Sequence, residues 1–242
     1  MIDTILLDMD GTLLPVDEKT FVKAYFGAIQ AKVSKLGYDP DRFIAALWKG
    51  TEAMNRNDGS VSNRDAFWKV FLGLIGENPH NAELEQIMDG FYAHEFQAVK
   101  ELLGIQADRR ALIDGLRRKG YTLALVTSPV FPAAAVRTRL QWINLKPEDF
   151  QLATDYVNSS FCKNDLGYYR DLLRALNKRP EQCLMVGNNV GEDTRIAALG
   201  AHVYLVTDML EDKEGLGVQE FEHGSFSQFE AFAAALPSVT LK

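Results

Sequence analysis

No apolar run in the 242 residues approaches 18 positions, so no membrane-spanning helix is expected. Cysteine is nearly absent. Cys162 and Cys183 are too few for a disulfide framework, and Cys183 stands in an apolar run where a buried thiol is expected. A basic excess is also lacking. The formal net charge of −7 argues against a nucleic-acid binder. It leaves a phosphorylated substrate open, because one pocket can be locally positive on an acidic protein. Met1-Ile2-Asp3-Thr4 shows no basic segment followed by a long apolar one, so no secretory signal is expected and a cytoplasmic location is. There is no internal repeat, and none of His80, His94, His202 and His223 stands at metal-ligand spacing. The remaining composition, 47% hydrophobic and 24% charged, excludes a disordered, collagen-like or coiled-coil chain. The length suits one large domain, or a core plus an accessory domain.

Three parts follow along the chain. Ile5-Leu6-Leu7 is a short, continuous apolar run, as in a strand buried on both faces. Residues 16–105 read as all helix. Phe21, Tyr25, Ile29, Val33 and Leu36 recur at helical spacing before Gly37. Asp39-Pro40 is an N-cap followed by proline at the first helical position, with Phe43, Leu47, Thr51 and Met54 on one face. Ser62 to Asp65 resembles a capping box, and Asn81 is a candidate cap for one long helix carrying Leu84, Ile87, Phe91, Phe96, Val99 and Leu102. Twelve of the 25 aromatics lie in this part, which predicts a helical-bundle core with a few rings free to face a substrate. From 106 onward helix and strand alternate, with strands at Thr122–Thr127, Cys183–Val186 and Val203–Val206. That alternation predicts an α/β fold with a doubly wound, Rossmann-like parallel sheet. The first strand joins this sheet, so the expected organisation is a core of residues 1–15 and 106–242 with an inserted all-helical domain of residues 16–105.

Ligands on such sheets sit beyond the carboxyl ends of the strands. Four clusters lie there: Asp8, Asp10, Gly11 and Thr12; Thr127 and Ser128; Lys163; and Asn188, Asn189, Glu192 and Asp193. Two carboxylates one residue apart at the end of a buried strand are costly to desolvate without a cation or a role. A hydroxyl, an ammonium and further oxygen donors converging on them make a site for Mg²⁺ and phosphate.

Asp8-Met9-Asp10-Gly11-Thr12-Leu13 resembles the first motif of the haloacid dehalogenase-like superfamily, whose members are mostly phosphatases. The second motif resembles Leu125-Val126-Thr127-Ser128. The third resembles Lys163 with Tyr169 and Pro180 following, and the fourth Leu184-Met185-Val186-Gly187-Asn188 through Asp193. The motifs stand in family order and span the chain. The resemblance implies a Mg²⁺-dependent phosphatase of a small phosphorylated metabolite, with residues 16–105 as its cap. Asp8 would attack phosphorus and become an aspartyl-phosphate, while Asp10 acts as general acid and base and lends a main-chain carbonyl to the metal. Thr127 and Ser128 would bind phosphate oxygens, and Lys163 would neutralise Asp8 and the phosphoryl group. The metal ligands implied are Asp8, Asp10, Asn188 and Asp193.

The fourth motif departs from the family pattern, which has an acid directly after the glycine. Asn188 stands there and Asn189 follows. Either amide could face the metal, or neither could, with both forming a helix-capping turn, and Glu192 could substitute for Asp193. A sugar-phosphate mutase of the same architecture and a catalytically weak binding protein are the alternatives. The polar loop Asn55-Arg56-Asn57-Asp58-Gly59 reads as a surface turn or a substrate-reading loop.

Overall fold

The computed structural model describes residues 1–239. Six strands form one sheet: β1 Thr4–Leu7, β2 Thr122–Leu125, β3 Leu152–Ala153, β4 Cys183–Gly187, β5 His202–Val206 and β6 Glu222–Gly224. The order is β3-β2-β1-β4-β5-β6 and every pairing is parallel. The chain runs outward from β1 in one direction to β3, then returns to β4 on the other side and runs outward to β6. The strand order therefore reverses beside β1, where such sheets open a crevice.

Alternate side chains explain why both faces are covered. Ile5 and Leu7 of β1, with Leu184 and Val186 of β4, join one apolar cluster that includes Ile113, Val136 and Phe229. Leu6, Cys183 and Met185 join the other, with Tyr168, Leu172 and Leu176. The first face packs on helices α6 (Arg110–Arg118), α7 (Ala133–Trp142) and α10 (Phe226–Ala235). The second packs on α8 (Leu166–Leu176) and on the short α9 (Val190–Asp193) with its 3₁₀ continuation Thr194–Leu199. The sheet is doubly wound, as its apolar runs predict.

Between β1 and α6 lie only helices: α1 (Glu18–Lys35), α2 (Pro40–Asn55), α3 (Asn63–Ile75), α4 (Leu84–Gly90) and α5 (Gln97–Leu103). Their starts follow local chemistry. Asp17, Asp39 and Ser62 each accept a bond from the main-chain NH three residues on, and Pro40 opens α2. The single helix expected after Asn81 is instead divided. A 3₁₀ turn at Asn81–Glu83 precedes α4, and a π-turn at Phe91–Glu95 separates α4 from α5. Asn81 caps nothing there; its amide donates to the Gly76 carbonyl and its oxygen accepts from Tyr38. The π-turn is closed by Phe96 N donating to Phe91 O at 2.9 Å. It keeps Phe91 and Phe96 together in the core although they are five residues apart. Leu102, expected on the apolar face, is 74% exposed. Among the described residues no helix is long and apolar enough to cross a membrane.

Candidate active site

Asp8 continues the sheet for one step, its NH donating to the Val186 carbonyl at 2.9 Å. The chain then folds into a tight loop in which Leu14 N donates to Met9 O and Gly11 N to Leu14 O. Arg109 clamps the loop from outside: its Nε donates to Leu13 O at 2.8 Å, and its guanidinium lies 3.7 Å above the Phe226 ring. Gly11 is required twice over. Its φ is +81°, and a Cβ there would stand 2.2 Å from Asn188 Nδ2.

That close approach brings the first and fourth clusters together. Asp8 Oδ1 accepts from Lys163 Nζ at 2.8 Å and Oδ2 from Thr12 Oγ1 at 2.8 Å. Thr12 Oγ1 is also 3.0 Å from Asn188 Oδ1. Lys163, 2% exposed, makes a second ion pair with Asp193 at 2.5 Å. Burial pushes the Asp8 carboxyl up to about 7 against the opposing Lys163 ammonium. Burial works against the Lys163 charge as well, yet Asp193 and Asp8 together hold it well above its ordinary value.

The two asparagines separate cleanly. Asn188 is buried, with Oδ1 toward Thr12 and Nδ2 donating to Met209 O at 2.7 Å. Asn189 is the N-cap of α9: its Oδ1 accepts from Glu192 N and its Nδ2 donates to Glu211. Only Asn188 is placed beside Asp8. The other oxygen of Asp193, Oδ2, accepts from Asn189 N at 2.9 Å, while Oδ1 has the Lys163 ion pair and, among the described residues, no hydrogen bond. Gly187 makes room for this, because a Cβ there would fall 2.0 Å from Asp193 Oδ2. Gly187→Ala is expected to lower unfolding stability by about 1–3 kcal/mol, the usual cost of overpacking. Urea unfolding of the variant checks this.

The spacing Lys163…Tyr169…Pro180 acquires a physical meaning. The Tyr169 hydroxyl donates to the Glu192 carbonyl at 3.0 Å and so ties α8 to α9. Pro180 opens the 3₁₀ turn Pro180–Gln182 that delivers the chain into β4. Thr127 is buried, its main-chain carbonyl accepting from Thr154 and Tyr168, while among the described residues its hydroxyl has no protein partner. Ser128 differs, donating its hydroxyl to Glu192 Oε2 at 3.1 Å.

Asp10 forms an ion pair with Arg139 of α7. Arg139 is fully buried, 4.3 Å from the centre of the Phe131 ring. Asp10 Oδ1 and Arg139 Nη2 are buried and lack hydrogen-bond partners. Sequence reasoning missed Arg139. The available signal was an arginine on the face of α7 that also carries Ala135, Val136 and Leu140.

These groups open onto a cavity of about 290 Å³. Its floor is Asp8, Asp10, Thr127, Lys163 and Asn188, and its other walls come largely from α1–α4, with Tyr25, Trp48, Phe67, Trp68 and Glu85 among them. The 55–59 loop is not part of this wall, which corrects the substrate-reading expectation. It packs instead on the loop that carries Lys163: a Cβ on Gly59 would meet the Phe161 ring, and Asn164 Nδ2 donates to Asn55 O at 3.1 Å.

The donor set fits a hard cation. It is made only of oxygens, and the one Thr12 hydroxyl proton cannot serve both Asp8 Oδ2 and Asn188 Oδ1. Among the described residues no group of three or more His, Cys, Asp or Glu is assembled that could hold a metal ion, so a cation would also need amide and main-chain oxygens.

The family model for haloacid dehalogenase-like hydrolases matches residues 2–200. No curated protein matches the sequence. Among solved structures, an HAD phosphatase from Thermococcus onnurineus is 18% identical with a TM-score of 0.61, covering 98% of this chain and 100% of its own. A 2-haloacid dehalogenase from Pseudomonas syringae pv. Tomato DC3000 is 16% identical with a TM-score of 0.59, covering 97% and 99%. A predicted phosphoglycolate phosphatase from Haemophilus somnus 129pt is 15% identical with a TM-score of 0.56, covering 96% and 97%. At these identities the likeness is one of fold.

Proposed function

The chain belongs to the haloacid dehalogenase-like hydrolases, and from that premise we propose that it is a Mg²⁺-dependent phosphatase acting on a small phosphorylated metabolite through an aspartyl-phosphate on Asp8. The observation that carries the reading is the environment of Asp8. One of its oxygens is held by a buried lysine and the other by a hydroxyl shared with an amide oxygen. Attack of a carboxylate on a phosphate dianion needs cationic charge and hard oxygen donors at that place, whereas attack on an uncharged carbon–halogen bond does not. A bound Mg²⁺ would be held by Asp8, Asn188 and the Asp10 main-chain carbonyl, with Asp193 adding negative charge beside them, and it would offset the repulsion between Asp8 and phosphate.

The chain's own residues do the rest. An Asp8 oxygen forms the bond to phosphorus as the bond to the alcohol oxygen breaks. Asp10 supplies the proton that the alcohol takes, with Arg139 holding its carboxyl in place. Asp10 then accepts a proton from water attacking phosphorus, which releases phosphate and restores Asp8. Thr127 donates to a phosphoryl oxygen, and Ser128 joins it on leaving Glu192. Lys163 keeps charge balanced at Asp8 throughout, and Asp193 is its fixed counter-ion. Residues 16–105 serve as a cap on the core of 1–15 and 106–242, supported by the cavity walls they supply. Two free, buried thiols support a reducing, cytoplasmic setting.

Turnover of an aryl phosphate with and without Mg²⁺, run beside 2-chloropropionate, tests the reading. Mg²⁺-dependent phosphate release with no halide release is expected; the reverse pattern assigns a dehalogenase.

Asn188→Asp is expected to tighten Mg²⁺ binding in the free protein by roughly ten- to a hundredfold, about one to a few kcal/mol for a unit charge near a divalent ion. Its new carboxylate also faces the Met209 carbonyl that the amide now satisfies, so the metal-free variant should be less stable. Asn189→Asp, at the helix cap, should leave Mg²⁺ affinity unchanged. Calorimetric titration of both variants reads the difference.

A further inference from the structure

Resting on the phosphatase reading, we propose that the alcohol half of the substrate is apolar, of about aromatic-ring size, and carries no second anionic group. The walls above Asp8 are the reason. Phe67 and Phe71 stack at 4.9 Å, Trp68 meets Phe71 edge-on at 5.5 Å, and Phe26 meets Trp48 at 5.3 Å. The hydroxyls of the wall tyrosines are turned onto protein partners. The Tyr25 and Tyr92 hydroxyls bond each other at 2.5 Å, and Tyr156 donates to Glu85 at 2.9 Å. What remains toward the cavity is mostly ring face and aliphatic carbon. A polyol placed against these ring faces would strand the hydroxyls that point at them, left without the partners they had in water.

Charge gives an independent argument. Among the described residues the only cationic side chains lining the cavity are those of Lys163 and Lys213. Lys163 is committed to Asp8 and Asp193, and the exposed Lys213 pairs at the rim with Glu18 at 2.6 Å and with Glu211 at 3.7 Å. Glu18, Glu85, Asp89, Glu192 and Glu211 line the same space. Of these, Glu85 is matched by Arg64, whereas Asp89 has no ion-pair or hydrogen-bond partner among the described residues. A second phosphate or a carboxylate would enter a wall of like charge with, among the described residues, no unpaired guanidinium or ammonium to meet it. A bisphosphate, which a sugar-phosphate mutase must bind at both ends, has no second seat. A neutral ring does, and burying one is worth about ten- to a hundredfold in affinity.

Calorimetry with non-hydrolysable ligands tests this without requiring turnover. With Mg²⁺ present, 2-phenylethylphosphonate is expected to bind at least tenfold tighter than 2-carboxyethylphosphonate. In parallel, kcat/KM for 2-phenylethyl phosphate should exceed that for phosphoglycolate, glucose 6-phosphate and glucose 1,6-bisphosphate by at least tenfold. Asp89→Lys, at an exposed position, should shrink the gap between the two phosphonates by about tenfold. Equal or reversed affinities, or no binding of either phosphonate, overturn the proposal. Efficient turnover with the sugar phosphates or phosphoglycolate preferred overturns it and leaves the phosphatase reading standing. Tighter binding of the phenyl ligand with no phosphate ester hydrolysed supports the ligand class and removes the phosphatase reading.

Discussion

Asp8→Asn is expected to abolish hydrolysis, with a loss of at least about a thousandfold, because an amide is nearly isosteric with the carboxylate but a poor nucleophile. The fold should persist. Lys163 keeps Asp193 as a partner at 2.5 Å, and the amide oxygen can still accept from Thr12. A pH effect accompanies the substitution. Burial raises the Asp8 carboxyl to about 7 in the metal-free protein, above its unfolded value of 3.8. An acid raised in this way contributes stability that is fully present below the unfolded value and is lost as pH rises through the folded one. Wild type should therefore lose stability relative to Asp8→Asn between about pH 4 and pH 7. Urea unfolding of both proteins across that window, without metal, checks the sign. A gap that closes as pH rises would contradict it.

Lys163→Met carries the second large effect. It removes the one buried cation between Asp8 and Asp193 and leaves two carboxylates facing each other with little solvent, since Asp193 is fully buried. Breaking a buried pair by deleting one partner costs about 3–5 kcal/mol. Unfolding should show that loss in the metal-free protein, and the double variant Lys163→Met/Asp193→Asn should recover much of it. Turnover should fall by at least about a hundredfold in both variants, because neither restores a cation beside the transferring phosphoryl group. Recovery of activity in the double variant would place the role of Lys163 in stability alone.

The parts of this architecture that were legible in the sequence are those set by local chemistry. Apolar runs at 5–7, 123–126 and 183–186 became the central strands, and Asp39-Pro40 became the start of a helix at the expected residue. The polar residues just past those strands converge, because a parallel sheet brings its carboxyl ends to one edge. What escaped depends on distance or on brevity. The two residues of β3 are too few to show a period, and β6 reads Glu222-His223-Gly224, a polar edge strand without an apolar signature. The five-residue step from Phe91 to Phe96 was visible, yet a search for a 3.6-residue period passes over a π-turn. Whether Asn188 or Asn189 faces Asp8 turns on which side chain caps α9. The Asp10–Arg139 pair joins residues 129 positions apart.

The central claim is a covalent phosphoryl group on Asp8, and trapping it is the direct test. A single turnover of radiolabelled aryl phosphate with Mg²⁺ is quenched in acid at a series of times, and the protein is digested. Transient label on the peptide carrying Asp8, absent from the Asp8→Asn variant, is the predicted result. Phosphate release with label on another residue, or with no label on protein at any time while Asp8→Asn retains turnover, would contradict the account.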